Sequence, residues 1–109
     1  MAQLERDDGA QGTVEREPDS AGLPVIKLTG EIDISNAEAL GATLSHLIDP
    51  GTTRLVVDLA ALGFMDSAGI AMLLRATAGI ESIEIRNPSE LVRRIIECTG
   101  LTDVFRLDT

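Results

Sequence analysis

Apolar residues recur along this chain in two rhythms, and the switches between them mark out the elements. Leu23-Pro24-Val25-Ile26-Lys27-Leu28-Thr29 reads as a strand that Gly30-Glu31-Ile32-Asp33 leaves. The rhythm then becomes helical: Ala37, Leu40, Leu44, Leu47 and Ile48 share one face of a helix over about 36–48, which Asp49-Pro50-Gly51 ends. Ser35 followed by Glu38 has the spacing of a capping box at its start. Arg54-Leu55-Val56-Val57-Asp58-Leu59 is a short apolar run of the kind found in strands buried on both faces. A second helix is predicted from Ser67 to Gly79, with Ile70, Leu73, Leu74 and Thr77 turned inward. Ser82-Ile83-Glu84-Ile85-Arg86 alternates with a period of two and predicts a strand. Asn87-Pro88-Ser89-Glu90 reads as a helix start with Pro at the first helical position, and Gly100 as that helix's end. Its apolar stripe is Leu91, Val92, Ile95, Ile96 and Cys98.

The two ends of the chain carry weaker patterns. Residues 1–11 read as a flexible acidic tail, leaving 12–109 as one domain. Thr13-Val14-Glu15-Arg16-Glu17 suits a charged edge strand, with Pro18 to Gly22 as its turn. Thr102 is placed to cap a last short turn carrying Val104 and Phe105. Strands alternating with helices predict an α/β fold: a mixed four- to five-stranded sheet, parallel in part, with helices packed against it.

Composition narrows the function. With 109 residues the chain has room for one domain. Its 18 acidic and 9 basic side chains leave a net charge of -9, which argues against nucleic-acid and anionic-membrane partners because both demand basic patches. The absence of Trp and Tyr removes stacking platforms for single strands. One Cys and one His argue against a disulfide framework or a metal site, and no cofactor is expected. No apolar stretch reaches the roughly 18 residues of a membrane span, and the N-terminus lacks a secretory pattern, so direct membrane insertion is not expected and a cytoplasmic location is.

Chemistry in such folds collects at loops on the carboxyl ends of the strands. Two qualify: Gly30-Glu31-Ile32-Asp33-Ile34-Ser35, and Phe64-Met65-Asp66-Ser67-Ala68-Gly69. A serine at a helix N-terminus suits a phosphate, since unpaired N–H groups and the helix dipole favour an anion there. The plainer reading, which the residues alone favour, is a helix cap, a job that Asp66 can also do, and the two readings are compatible. His46 is expected at the surface, Cys98 as a buried or half-buried thiol, and Arg93-Arg94 on a solvated face near a helix C-terminus. Phe64 and Met65 read as packing residues at a strand exit. With no Walker-type glycine loop, metal cluster or nucleophile–base pair in view, an enzyme is not expected.

Taken in order and at this spacing, Gly30-Glu31-Ile32-Asp33, Leu55-Val56-Val57-Asp58-Leu59 and Phe64-Met65-Asp66-Ser67-Ala68-Gly69-Ile70 resemble the STAS domain. Asn87-Pro88-Ser89 and Thr99-Gly100-Leu101 resemble its last strand-to-helix turn and helix end, so the likeness covers about 23–105. Stand-alone chains of this size resemble bacterial anti-sigma factor antagonists. The resemblance implies partner switching. The unphosphorylated antagonist binds an anti-sigma factor that is also an ATP-dependent serine kinase; phosphorylation of the motif serine releases it, and a serine phosphatase resets it. Ser67 takes the phosphoacceptor role, with Asp66 beside it, Asp33 and Ser35 on the neighbouring partner-binding loop, and Gly69 and Ile70 at the start of the presenting helix. The helix N-terminus is expected to offer donors to the phosphate, so that its effect falls on the partner rather than on folding. Two departures from the family pattern stand out. The stretch 71–82 is about one turn short and lacks the usual basic segment and Gly-Gly turn, and Ala68 stands where many relatives carry Ser or Thr, leaving Ser67 as the acceptor. The competing implication is an accessory subunit of an ABC-type lipid transport complex, as some small STAS proteins are.

Overall fold

The computed structural model describes residues 12–100 and 105–108, so the tail 1–11, Thr102 and Val104 lie outside the described residues. Five strands stand side by side in chain order: β1 (Thr13–Ser20), β2 (Leu23–Ile32), β3 (Arg54–Met65), β4 (Ser82–Arg86) and β5 (Phe105–Asp108). β1 runs antiparallel to β2, while β2 through β5 are parallel. The helices α1 (Ala37–Leu47), α2 (Ser67–Ala76) and α3 (Glu90–Cys98) make the three crossovers. Each crossover steps the same way across the sheet, so right-handed connections put all three helices on one face. The core confirms it. Ile26, Leu28 and Ile32 of β2, Leu55, Val57, Leu59, Leu62 and Met65 of β3, and Ile83 and Ile85 of β4 join Leu44, Leu73, Val92 and Ile96 of the helices in one cluster. Lys27, Asp58, Glu84 and Arg86 alternate with them and stand half-buried on the sheet's other face.

β3 is twice as long as its apolar run predicted. Between Lys27↔Asp58 and Ile32↔Met65, β2 advances five residues while β3 advances seven. The two extra residues enter as bulges, one between Asp58 and Ala61 and one at Gly63. Each bulge shifts the alternation, so the inward positions go from Leu59 to Leu62 to Met65, a spacing of three. A period-two pattern therefore breaks at Leu59 although the ladder continues. β2 also runs on through Gly30, which takes φ +81, to Ile32.

Other boundaries move for local reasons. β1 continues through Pro18 to Ser20 across a register shift, and the turn contracts to Ala21 and Gly22. Arg16 points to the helical face, where Nη1 donates to the Leu47 carbonyl (3.0 Å) at the end of α1. α2 stops at Ala76, where the buried Thr77 donates its hydroxyl to the Leu73 carbonyl (2.7 Å). α3 is capped by Ser89, not Asn87: Ser89 Oγ accepts from Val92 N (3.1 Å), while Asn87 sits at φ +56 outside the helix. Phe105 is no helical turn residue but the buried first residue of β5. On α3 the inward stripe is narrower than predicted, since Val92 and Ile96 are buried while Leu91 and Cys98 are exposed.

Two close approaches set the helices over the sheet. Gly41 of α1 faces Met72 of α2, with Met72 Cγ 2.7 Å from where a Cβ would stand. Gly69 of α2 lies flat on β2 and β3, and a Cβ there would overlap Met65 Cγ and sit 3.1 Å from Ile32 Cγ2. Met65 and Ile32 are fully buried and have no room to retreat. Gly69→Ala should therefore destabilise the fold: overpacking costs about 1–3 kcal/mol, against at most about 1 kcal/mol gained in helix propensity. A thermal melt should show Tm lower by about 4–8 °C for each kcal/mol of net loss; an unchanged or raised Tm would show that Met65 yields.

Candidate functional site

The two loops singled out in the sequence meet at the carboxyl end of the sheet. The β2–β3 ladder pairs Glu31 with Phe64 and Ile32 with Met65, and one further bond, Asp66 N to the Ile32 carbonyl (3.2 Å), carries the pairing past the strand ends. Asp33 and Asp66 thus follow directly on paired residues of neighbouring parallel strands, and α1 and α2 both start from this edge.

After β2 the chain is locked by its own polar side chains. Asp33 Oδ1 accepts from the Ser35 backbone N–H (2.9 Å) and the Ser35 hydroxyl (2.5 Å), an Asx-turn reinforced by a serine. Asn36 Oδ1 accepts from Asp33 N (2.9 Å), and Asn36 Nδ2 donates to the Glu31 carbonyl (2.9 Å). The Asp33 carbonyl accepts from Asn36 N and Ala37 N, starting α1. The predicted capping box is therefore not formed: the N-cap is Asn36, its side chain holds the loop rather than the helix N–H groups, and Ser35 serves Asp33. The Ser35 hydroxyl, then its backbone N–H, hold the Asp33 carboxyl below the ordinary aspartate value against a smaller opposing effect of desolvation. At the apex of the turn stands Ile34, 83% exposed.

At the head of α2 the capping question is decided for Asp66. Its Oδ1 accepts from Ala68 N (2.9 Å) and Gly69 N (3.2 Å), and its carbonyl accepts from Ile70 N (3.1 Å). Ser67 is the first helical residue, exposed, and its hydroxyl has no hydrogen-bond partner among the described residues. Of the donors that the helix N-terminus is expected to offer a phosphate, the Asp66 carboxylate already holds two. Gly69 and Ile70 are buried beneath the site, where they seat the helix start.

The structure thus brings Asp33, Ser35, Asp66 and Ser67 to one edge, with Gly69 and Ile70 below them. Phe64 is half-buried and Met65 fully buried at the same strand exit. Two residues add to those expected from the sequence: Asn36, whose side chain ties the loop together and whose signal is the Asp-x-Ser-Asn string after a strand, and Ile34. His46 is exposed late in α1, with Nδ1 2.8 Å from the Ala42 carbonyl. Cys98 is exposed rather than half-buried. Arg93 and Arg94 lie mid-helix, paired with Glu97 (3.9 Å) and Glu90 (3.5 Å). Among the described residues no cluster of His, Cys, Asp and Glu is placed to hold a metal, and no helix is long and apolar enough to cross a membrane.

This arrangement has known counterparts. The chain is 33% identical over 92 residues to the anti-sigma-F factor antagonist RsfB of Mycobacterium tuberculosis, covering 82% of this chain and 75% of that protein. An anti-sigma factor antagonist from Mycobacterium paratuberculosis superposes with a TM-score of 0.78 at 28% identity, covering 94% of this chain and 89% of that one. The Bacillus cell fate determinant SpoIIAA, in its phosphorylated form, superposes with a TM-score of 0.63 at 27% identity, covering 89% and 92%. The family model "Mlab, STAS domain" matches residues 16–107. That match runs from within β1 to within β5, and the chain belongs to the STAS domain family.

Proposed function

We propose that this protein is a cytoplasmic anti-sigma factor antagonist that works by binding, not catalysis, and is switched at Ser67. Unphosphorylated, it binds an anti-sigma factor that is also an ATP-dependent serine kinase; phosphorylation of Ser67 ends the complex, and a serine phosphatase restores it. The relatives named as antagonists of anti-sigma factors, and a structural neighbour recorded in a phosphorylated form, favour this over the role of transporter subunit. The observation that carries the reading is the division of labour at α2: Asp66 caps, which leaves the Ser67 hydroxyl exposed and unengaged.

That division also directs the effect of a phosphate. Phosphoserine adds about -1.5 to -2 charges at neutral pH. With Ala68 N and Gly69 N already held by Asp66, two of the helix's leading donors are taken, and the new dianion is added beside a carboxylate. A hundredfold loss of affinity needs about 2.7 kcal/mol. Burying the phosphate in a closed interface would cost more, since unpaired ions lose several kcal/mol on desolvation.

Wild type, Ser67→Ala and Ser67→Glu used as baits in host lysate, read by mass spectrometry, test the switch. An anti-sigma factor kinase should come down with Ser67→Ala and be depleted roughly a hundredfold with Ser67→Glu. Equal recovery by all three removes the switch, and transporter subunits recovered regardless of variant would favour the accessory-subunit role.

The loop chemistry gives a second expectation. A carboxyl held low stabilises the fold above its unfolded value, near about pH 4, and that contribution is lost as pH falls through the lower folded value. Asp33 is thus fully charged wherever the cell would use it. Carboxyl-carbon NMR should show Asp33 titrating below the ordinary aspartate range, and Ser35→Ala should move the midpoint upward. A midpoint indifferent to Ser35 would mean that the hydroxyl contact is not kept in solution.

A further inference from the structure

From the exposed Ile34 and its locked turn, we infer that this side chain is the apolar anchor of the partner interface, entering an apolar pocket rimmed by Lys or Arg on the anti-sigma factor. The inference rests on the proposed function for its partner and goes beyond it in naming the residue that specifies the contact. Only two large hydrophobic residues are strongly exposed among the described ones: Ile34 at 83% and Leu91 at 50%. Leu91 lies on α3, whereas Ile34 sits between Asp33 and Ser35, on the loop bonded to the chain entering α2 at Ser67. An isolated exposed Ile is ordinary; one held at the tip of a hydrogen-bonded turn is different, because the ordering entropy of its backbone is already met before binding.

The charges around it define the partner. Asp33 and Asp66 each commit Oδ1 to the chain's own N–H and O–H groups, and Oδ2 of each accepts no hydrogen bond among the described residues. Glu31 and Glu38 are exposed on either side of the turn. An apolar tip with carboxylates on its own and the adjoining loop, on a chain of net charge -9, complements an apolar pocket with a cationic rim. The packed centre sets the lifetime of such a complex and the rim sets its rate of formation.

Binding kinetics with the purified anti-sigma factor recovered on Ser67→Ala test this, using the full chain. Ile34→Ala should weaken binding about 10- to 50-fold, mostly through faster dissociation. Ile34→Leu should stay within about threefold, and Leu91→Ala, the control, within about twofold. Asp33→Asn keeps an acceptor for Ser35 but loses the charge, so it should slow association and flatten its salt dependence. Because Ile34 is exposed, the Tm of Ile34→Ala should match wild type, which separates lost contact from lost fold. Wild-type affinity in Ile34→Ala overturns the anchor whatever Ser67→Glu does. Weakening by Ile34→Ala with none by Ser67→Glu keeps the anchor and removes the phosphorylation switch.

Discussion

The site exists because β2 and β3 stay paired to their last residues. The bond from Asp66 N to the Ile32 carbonyl closes that ladder, and it sets the turn beginning at Asp33 against the helix beginning at Ser67. A parallel pair reaches such a meeting only if both strands end level, yet β3 needs seven residues to cover what β2 covers in five. The two bulges absorb the difference. They also curl β3 so that Leu62 and Met65 still face the helices, and Met65 becomes the floor on which Gly69 lies. Losing either bulge would shift Met65 and Asp66 against β2 and move the cap away from the turn.

The same bulges explain how much of this was legible. β4 is legible to the residue, because Ile83 and Ile85 alternate cleanly in a strand of five. The run 54–59 is legible as a strand but not its cover or its length: all three helices lie on one face, and past Leu59 a bulge resets the period so that the pattern looks like loop. Helix starts failed where two polar residues competed for one role. Ser35, Asn36 and Asp33 can all make local hydrogen bonds, and the sequence does not say that Asp33 claims the serine while Asn36 reaches back to Glu31. Asn87 and Ser89 posed the same ambiguity at α3. Between Ser67 and Asp66 the sequence leaves the cap open, and only the geometry assigns it to the aspartate.

Two aspartate devices therefore do complementary jobs on adjoining loops. Asp66 spends one carboxylate oxygen on α2 and releases the serine beside it; Asp33 spends one on Ser35 and stiffens the turn that lifts Ile34. In each case the side chain satisfies backbone donors that helix or turn formation leaves orphaned, which is why the residue types are short and polar. The proposed recognition surface is in this sense a by-product of good local hydrogen bonding, and its rigidity comes without any added core.

Charge alone does not account for a switch on such a surface. If the partner's rim is cationic, a phosphate on Ser67 raises the long-range attraction between the two proteins, since it adds to carboxylates already present. Release must then come from short range, where the terms are larger. A dianion that cannot reach the helix N–H groups held by Asp66 has to be desolvated inside the contact, or hold it open by its own width. Screening separates the two effects: attraction between exposed charges fades beyond about 8 Å at physiological ionic strength, whereas exclusion of a hydrated phosphate from a packed apolar centre hardly depends on salt. A rigid turn would sharpen the outcome of the proposed phosphorylation, because an interface that cannot shift to make room loses the whole contact at once.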